Sequence, residues 1–299
     1  MWGEKGRMAG ILTLFAVTAV LLYGAVRTQP AAASAPVMGV VYASSEDEWK
    51  DEQYAALTEQ AQAAGFSVMG MPVERTQAAQ IEALRALTVY QVDVIVFSPV
   101  VESGWDNVLR EAREAGVPVI AMDKSVRGGG ASYVGFDYEG LAREAMAALL
   151  RHPSGKTGIA ELYGTLGSSP AREIARGCRE TAGAIHESLC ADGMRSRGYE
   201  IMESLRLEEV GYVVCHNDAM ARGAVDYLYD HGLDGNIAVC AFGGGQDVLR
   251  LLAEGRIAVV GVCDNASLAR KTVETARQLV DDPTRTVRRF AEGRVQVAA

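Results

Sequence analysis

Three stretches of the chain carry side chains able to read a small polar molecule. The first is His216-Asn217-Asp218, which follows the apolar run Gly211–Cys215 and precedes the helix-like Ala221–His231. An amide both donates and accepts, and a carboxylate accepts twice, so this pair suits hydroxyl groups. Asn217 is expected to touch a ligand. Asp218 is read either as a second contact or as the cap of the following helix. The second stretch ends the apolar run Val117–Met122 at Asp123. An unpaired carboxylate at the end of a buried strand would be costly, so Asp123 is read as functional. The third is Trp49, on an expected loop after Glu46-Asp47-Glu48. Its indole is read as either a stacking face for a ligand or a packing group, and Trp105 as the anchor of its own helix.

Other residue patterns argue against catalysis. Gly128-Gly129-Gly130 and Gly243-Gly244-Gly245 lack the Lys-Ser/Thr of a phosphate loop and the spacing of a dinucleotide fingerprint. Gly164-Thr165-Leu166-Gly167-Ser168-Ser169 precedes a helix and is read as a loop with an N-cap, or else as an anion site. The four histidines are scattered, and His216 alone adjoins the expected cleft. No nucleophile–base pair or metal set stands out, so neither a cofactor nor a metal is expected. The five cysteines are an odd number. Cys215, Cys240 and Cys263 lie in apolar runs and read as buried thiols. A Cys178–Cys190 bridge is disfavoured by the helix expected over Ala171–His186.

The elements that must position these residues alternate. From Pro36 the chain reads as strand Val37–Tyr42, helix Lys50–Ala64, strand Phe66–Pro72, helix Gln77–Val89, strand Val92–Ser98, helix Trp105–Ala115 and strand Val117–Met122. The glycine run 128–130 interrupts the rhythm. The alternation then restarts at Ser132–Gly135 and continues to a long helix, Ser267–Val280. Apolar runs of this kind imply parallel sheets covered on both faces. In such sheets ligands sit at the carboxyl ends of the strands.

Composition sets the class. At 299 residues, with 49% hydrophobic and 22% charged residues, one large or two medium globular domains are expected. The net charge of −9, with no basic block, makes nucleic acid and anionic membrane poor partners. Residues 1–35 read as a targeting segment: Lys5 and Arg7, an uncharged stretch from Ala9 to Val26, and small residues at Ala31–Ala35. The apolar run is also long enough to span a bilayer, so cleavage and a retained anchor both stand. An exported chain whose polar strand tips suit hydroxyls points to capture of a small polyol, a sugar above all.

A family likeness then emerges. Asp93–Val101, Ser103–Trp105 and Gly116–Lys124 resemble the first lobe of periplasmic galactofuranose-binding proteins, relatives of the ribose-binding proteins. Glu161–Ser169, His216–Met220 and Ala238–Phe242 continue the likeness through a second lobe, from about Val37 to Val297. The resemblance implies an α/β fold of type 1 periplasmic binding proteins. Two doubly wound parallel-sheet lobes are joined by a three-segment hinge and close over ligand. The expected division is 36–127 plus 264–287 and 128–263 plus 288–299.

The resemblance also implies a site. Trp49, with Lys50 beside it, falls where the family stacks an aromatic on the sugar. Asp123-Lys124 falls on an Asp-Arg pair that grips ring hydroxyls, the lysine lacking the guanidinium fork. Three family contacts are replaced: an Arg by Ile174, an Asp by Gly243 and a polar hinge residue by Val262. Each loss removes partners worth about 1–3 kcal/mol. Arg172 and Arg176 lie near the first of these positions, and Asp264, Asn265 and Gln246 are the neighbours expected to compensate. The implied role is a monomeric, non-enzymatic, extracytoplasmic solute-binding protein delivering a monosaccharide or polyol to ABC permease subunits. The alternative is an anchored sugar-sensing module beside a membrane receptor or histidine kinase.

Overall fold

The computed structural model describes Gly3 and residues 35–43 and 48–298. The expected targeting segment at 1–35, apart from Gly3 and Ala35, and most of the loop before Trp49 lie outside the described residues. Residues 36–299 form one compact body.

Two six-stranded sheets organise it. The first contains β1 (Val37–Ala43), β2 (Ser67–Val73), β3 (Val94–Phe97), β4 (Val119–Asp123), β5 (Ser132–Gly135) and β11 (Arg288–Phe290), in the order β11-β5-β4-β3-β1-β2. The second contains β6 (Gly158–Tyr163), β7 (Glu187–Cys190), β8 (Val210–Cys215), β9 (Ala238–Gly243), β10 (Val259–Cys263) and β12 (Gly293–Val297), in the order β12-β10-β9-β8-β6-β7. All pairings are parallel except β10 with β12. Every residue of β3, β4, β8, β9 and β10 is buried, as expected for strands covered by helices on both faces.

Each sheet has a private core on one face. In the first, Leu84, Leu87, Ile95, Phe97, Trp105 and Leu109 pack together. In the second, Met202, Val213, Met220, Val239, Leu252 and Ile257 do so. The opposite faces share one continuous cluster that runs through Trp49, Phe136 and Phe242. Apolar packing therefore continues from one lobe to the other through the hinge.

The sheets correct the expected division. Ser132–Gly135 pairs with β4, register Ile120↔Ser132, and Arg288–Phe290 pairs with β5. Both strands belong to the first sheet, so the chain does not change lobe at Gly128 or at 288. Positive φ at Gly128 (93°) and Gly130 (110°) turns the chain back to lay β5 beside β4. The crossings instead follow Gly135, Cys263 and Phe290. There, Ala291 N donates to Gly135 O at 2.6 Å and Asp264 N to Glu292 O at 3.1 Å. Strand β7 and helix Arg195–Ser204 were not expected, since their short, exposed sequences carry little period.

All five cysteines are free thiols, four of them buried. Burial pushes the Cys178 thiol up to about 12, so it stays protonated and unreactive.

Candidate functional site

The carboxyl ends of both sheets face each other across a cleft of about 870 Å³, its open mouth included. The side chains that line it come from strand ends and from helix starts, where parallel sheets place ligands.

The first-lobe wall centres on Asp123. Its side chain is 1% exposed, and φ of 66° puts this non-glycine residue in the left-handed region. Such strain persists only where the surroundings enforce it. Here one carboxylate oxygen takes the Lys50 ammonium and the other the Tyr138 hydroxyl, while the carbonyl accepts from Tyr133 at 3.2 Å. Burial, and then the Asp123 charge, raises the phenol pKa values of Tyr54 and Tyr138, so both stay protonated donors. Lys50 also lies 4.8 Å above the Trp49 ring. Lys124 lines the cleft beside this group.

Trp49 differs from expectation. It is the second residue of helix Glu48–Ala63 rather than part of an exposed loop, and it is 5% exposed. Its indole N–H donates to Cys263 O at 3.1 Å, and its carbonyl accepts from Asn265 at 3.0 Å. These bonds tie the first-lobe helix to the hinge, while the residue still borders the cleft.

The second-lobe wall is built differently. Asn217 is the N-cap of helix Asp218–Asp230: Oδ1 accepts from Met220 N at 2.9 Å, and Nδ2 donates to Gly193 O at 3.1 Å. Asp218 does not reach the cleft lining. Its buried carboxylate accepts from Gly244 N at 2.9 Å and Gly245 N at 2.6 Å. That bond explains Gly243, which does line the cleft. A Cβ there would lie 2.7 Å from the Asp218 carboxylate, and φ is 145°. His216 forms part of the same wall. Its Nε2 lies 3.1 Å from Glu161 Oε1. Burial raises the Glu161 pKa, but the His216 hydrogen bond and charge, Ser188 and Arg179 outweigh it and hold the carboxyl down at about 2.

Two other expected contacts lie elsewhere. Arg172 forms a bidentate pair with Glu102, at 2.8 and 3.0 Å, and does not line the cleft. Asp264 caps helix Asn265–Asp281, accepting from Ala266 N and Ser267 N. Of the three replaced positions, Ile174 is fully buried in the shared core, and Val262 packs beneath Gly244. Asn265 is committed to the Trp49 carbonyl and to Gln53, and Gln246 is absent from the lining.

The structure adds Tyr54, Arg75, Tyr138, Thr165 and Ser168 to the lining. Arg75 was detectable as a charged residue just past the end of β2. Ser168 holds the N-cap position of helix Ser169–Ala182, but its hydroxyl donates to Thr165 O at 2.9 Å and accepts from none of the helix N–H groups. Tyr138 could not be foreseen, because it reaches Asp123 from beyond the hinge.

Comparison with known proteins agrees with this geometry. Residues 38–284 match the periplasmic binding protein domain. The chain is 28% identical to the galactofuranose-binding protein YtfQ of Escherichia coli, over 75% of this chain and 76% of that one. It is 25% identical to the ribose import binding protein RbsB of Bacillus subtilis, over 75% of each. Among solved structures, the binding component of the arabinose ABC transporter of Shewanella sp. ANA-3, bound to L-arabinofuranose, superposes with a TM-score of 0.82 at 25% identity. The match covers 88% of this chain and 92% of that one.

Proposed function

The chain belongs to the periplasmic binding protein family, and from that premise we propose that it captures a monosaccharide or related polyol outside the cytoplasm and delivers it to an ABC importer. The observation that carries this reading is the Lys50–Asp123–Tyr138 cluster, set in a cleft with an indole, an amide and hydroxyls around it. A carboxylate, an ammonium and phenol donors placed side by side can accept from and donate to vicinal hydroxyls, while Trp49 supplies apolar contact for a ring face. The three relatives compared above are named for galactofuranose, ribose and arabinose.

Ligand contact is assigned to Trp49, Lys50, Asp123, Lys124, Asn217 and the Gly243 backbone. Arg172, Asp218 and Asp264 are assigned to holding the walls in place. Closure over ligand would shift the population toward the state with both lobes in contact, which is the form a permease would recognise.

A thermal-shift panel tests the reading. Residues 36–299 are heated with pentoses, hexoses that populate furanose forms, and polyols, with purine nucleosides as controls. At least one sugar or polyol is expected to raise the melting temperature in a dose-dependent way. A folded protein that responds to none of them, or only to nucleosides, would overturn it.

A further inference from the structure

We infer that two ion pairs across the cleft mouth form a latch that holds this protein closed without ligand. The hinge crossings involve β5, β11, β10 and β12, and in both sheets these strands stand at the same edge. β2 and β7 form the opposite edges. Rotation about the hinge therefore separates the β2 and β7 ends most. Across that far edge, Arg75, which follows β2, donates to the Asp192 carboxylate at 2.8 Å, to Asp192 O at 3.1 Å and to Thr165 Oγ1 at 3.3 Å.

The second pair lies nearer the middle of the cleft. Glu102, past the end of β3, takes both arms of the Arg172 guanidinium from the second-lobe helix. A bidentate, charge-assisted pair of this kind is the strong form of the interaction. The Glu102 side chain is only 8% exposed, and Arg172 supplies its closest cationic contact, the first-lobe Arg127 lying farther off at 3.6 Å. Backbone bonds accompany the pair: Glu102 N donates to Gly167 O and Ser125 N to Ser169 Oγ, each at 2.8 Å. The pairs Arg75–Asp192, Arg75–Thr165, Glu102–Arg172, Glu102–Gly167 and Ser125–Ser169 all bridge the lobes, so opening breaks all five.

Of the four latch residues Arg75 alone lines the cleft, and Glu102, Arg172 and Asp192 do not, so the Glu102–Arg172 pair acts on the equilibrium between open and closed forms rather than on ligand contact. A larger closed fraction in the empty protein raises apparent affinity by that fraction. The half-exposed Arg75–Asp192 pair weakens as salt shortens the screening length from about 10 Å at 0.1 M to about 3 Å at 1 M, and the more buried Glu102–Arg172 pair weakens less.

The test needs no ligand, so its failure is separable from failure of the sugar-binding reading. Amide hydrogen exchange is followed by mass spectrometry on the full, ligand-free chain. The Glu102 and Ser125 amides report closure directly, because both donate across the cleft. They are expected to be protected at low salt and to exchange at least about tenfold faster at 1 M salt. The double variant Arg172→Gln with Asp192→Asn should show the same loss at low salt, with core strands still protected. The charge swap Glu102→Arg with Arg172→Glu should restore protection at Ser125. Solvent-like exchange in the wild type, unchanged protection in the double variant, or no restoration by the swap would each overturn the latch.

Discussion

In the first-lobe wall of the cleft, the Asp123 carboxylate bonds side chains, Lys50 of its own lobe and Tyr138 from beyond the hinge. In the second-lobe wall Asn217 and Asp218 bond the backbone of their own lobe, Asn217 to Met220 N and Gly193 O and Asp218 to Gly244 N and Gly245 N, while His216 is held by the Glu161 side chain behind it. Side-chain partners can be exchanged for ligand hydroxyls while the fold stays intact. Backbone partners cannot, because an orphaned N–H in a buried loop carries its full desolvation penalty. The first wall thus holds the exchangeable partners, while in the second Asp218 keeps the strand tips in shape and Asn217 meets ligand in the geometry its backbone bonds fix.

The strongest way to break that distinction is Asp218→Ala. It strips two buried N–H groups of a charged acceptor, and we expect a stability loss of about 3 kcal/mol or more in urea denaturation. A variant as stable as the wild type would erase the contrast. Glu161→Gln tests the same wall through pH. The folded carboxyl titrates near 2 against an ordinary value of 4.5. Its pKa is depressed on folding, so its stabilisation is complete above about 4.5 and is lost as pH falls toward 2. That contribution is on the order of 3 kcal/mol. The glutamine variant should be less stable at neutral pH and show a flatter stability profile from pH 5 to 2. Parallel profiles would contradict the assignment. The first wall should behave oppositely. Asp123→Asn keeps a residue type that tolerates positive φ and an oxygen acceptor, so the stability loss should be smaller than in Asp218→Ala, about 1–2 kcal/mol. Ligand affinity should still fall at least about tenfold, because the charged acceptor is gone.

The two walls also differ in how far the sequence reveals them. Buried parallel strands are written as apolar runs, so β1, β3, β4, β8, β9 and β10 and most of their helices were readable. Lobe membership was not: Ser132–Gly135 looks alike in either sheet, and only its pairing with β4 assigns it. Asp123, Lys50 and Asn217 were readable as strand-tip and loop residues that reach the cleft. Arg172 and Asp264 carried suitable chemistry, but they are committed to Glu102 and to a helix cap. Gly243 appeared to be a lost contact. The structure instead ties it to Asp218, 25 positions earlier, whose carboxylate occupies the space a side chain would need. Pairings between distant loops leave no periodic trace, which is why the Tyr138–Asp123 contact emerged only with the fold.

The most direct measurement is a calorimetric titration of the wild type, Asp123→Ala and Trp49→Ala with the sugar or polyol that gives the largest thermal shift. The account predicts micromolar or tighter binding to the wild type and a loss of at least about tenfold in each variant. Equal affinity in all three proteins would place the ligand elsewhere and contradict it.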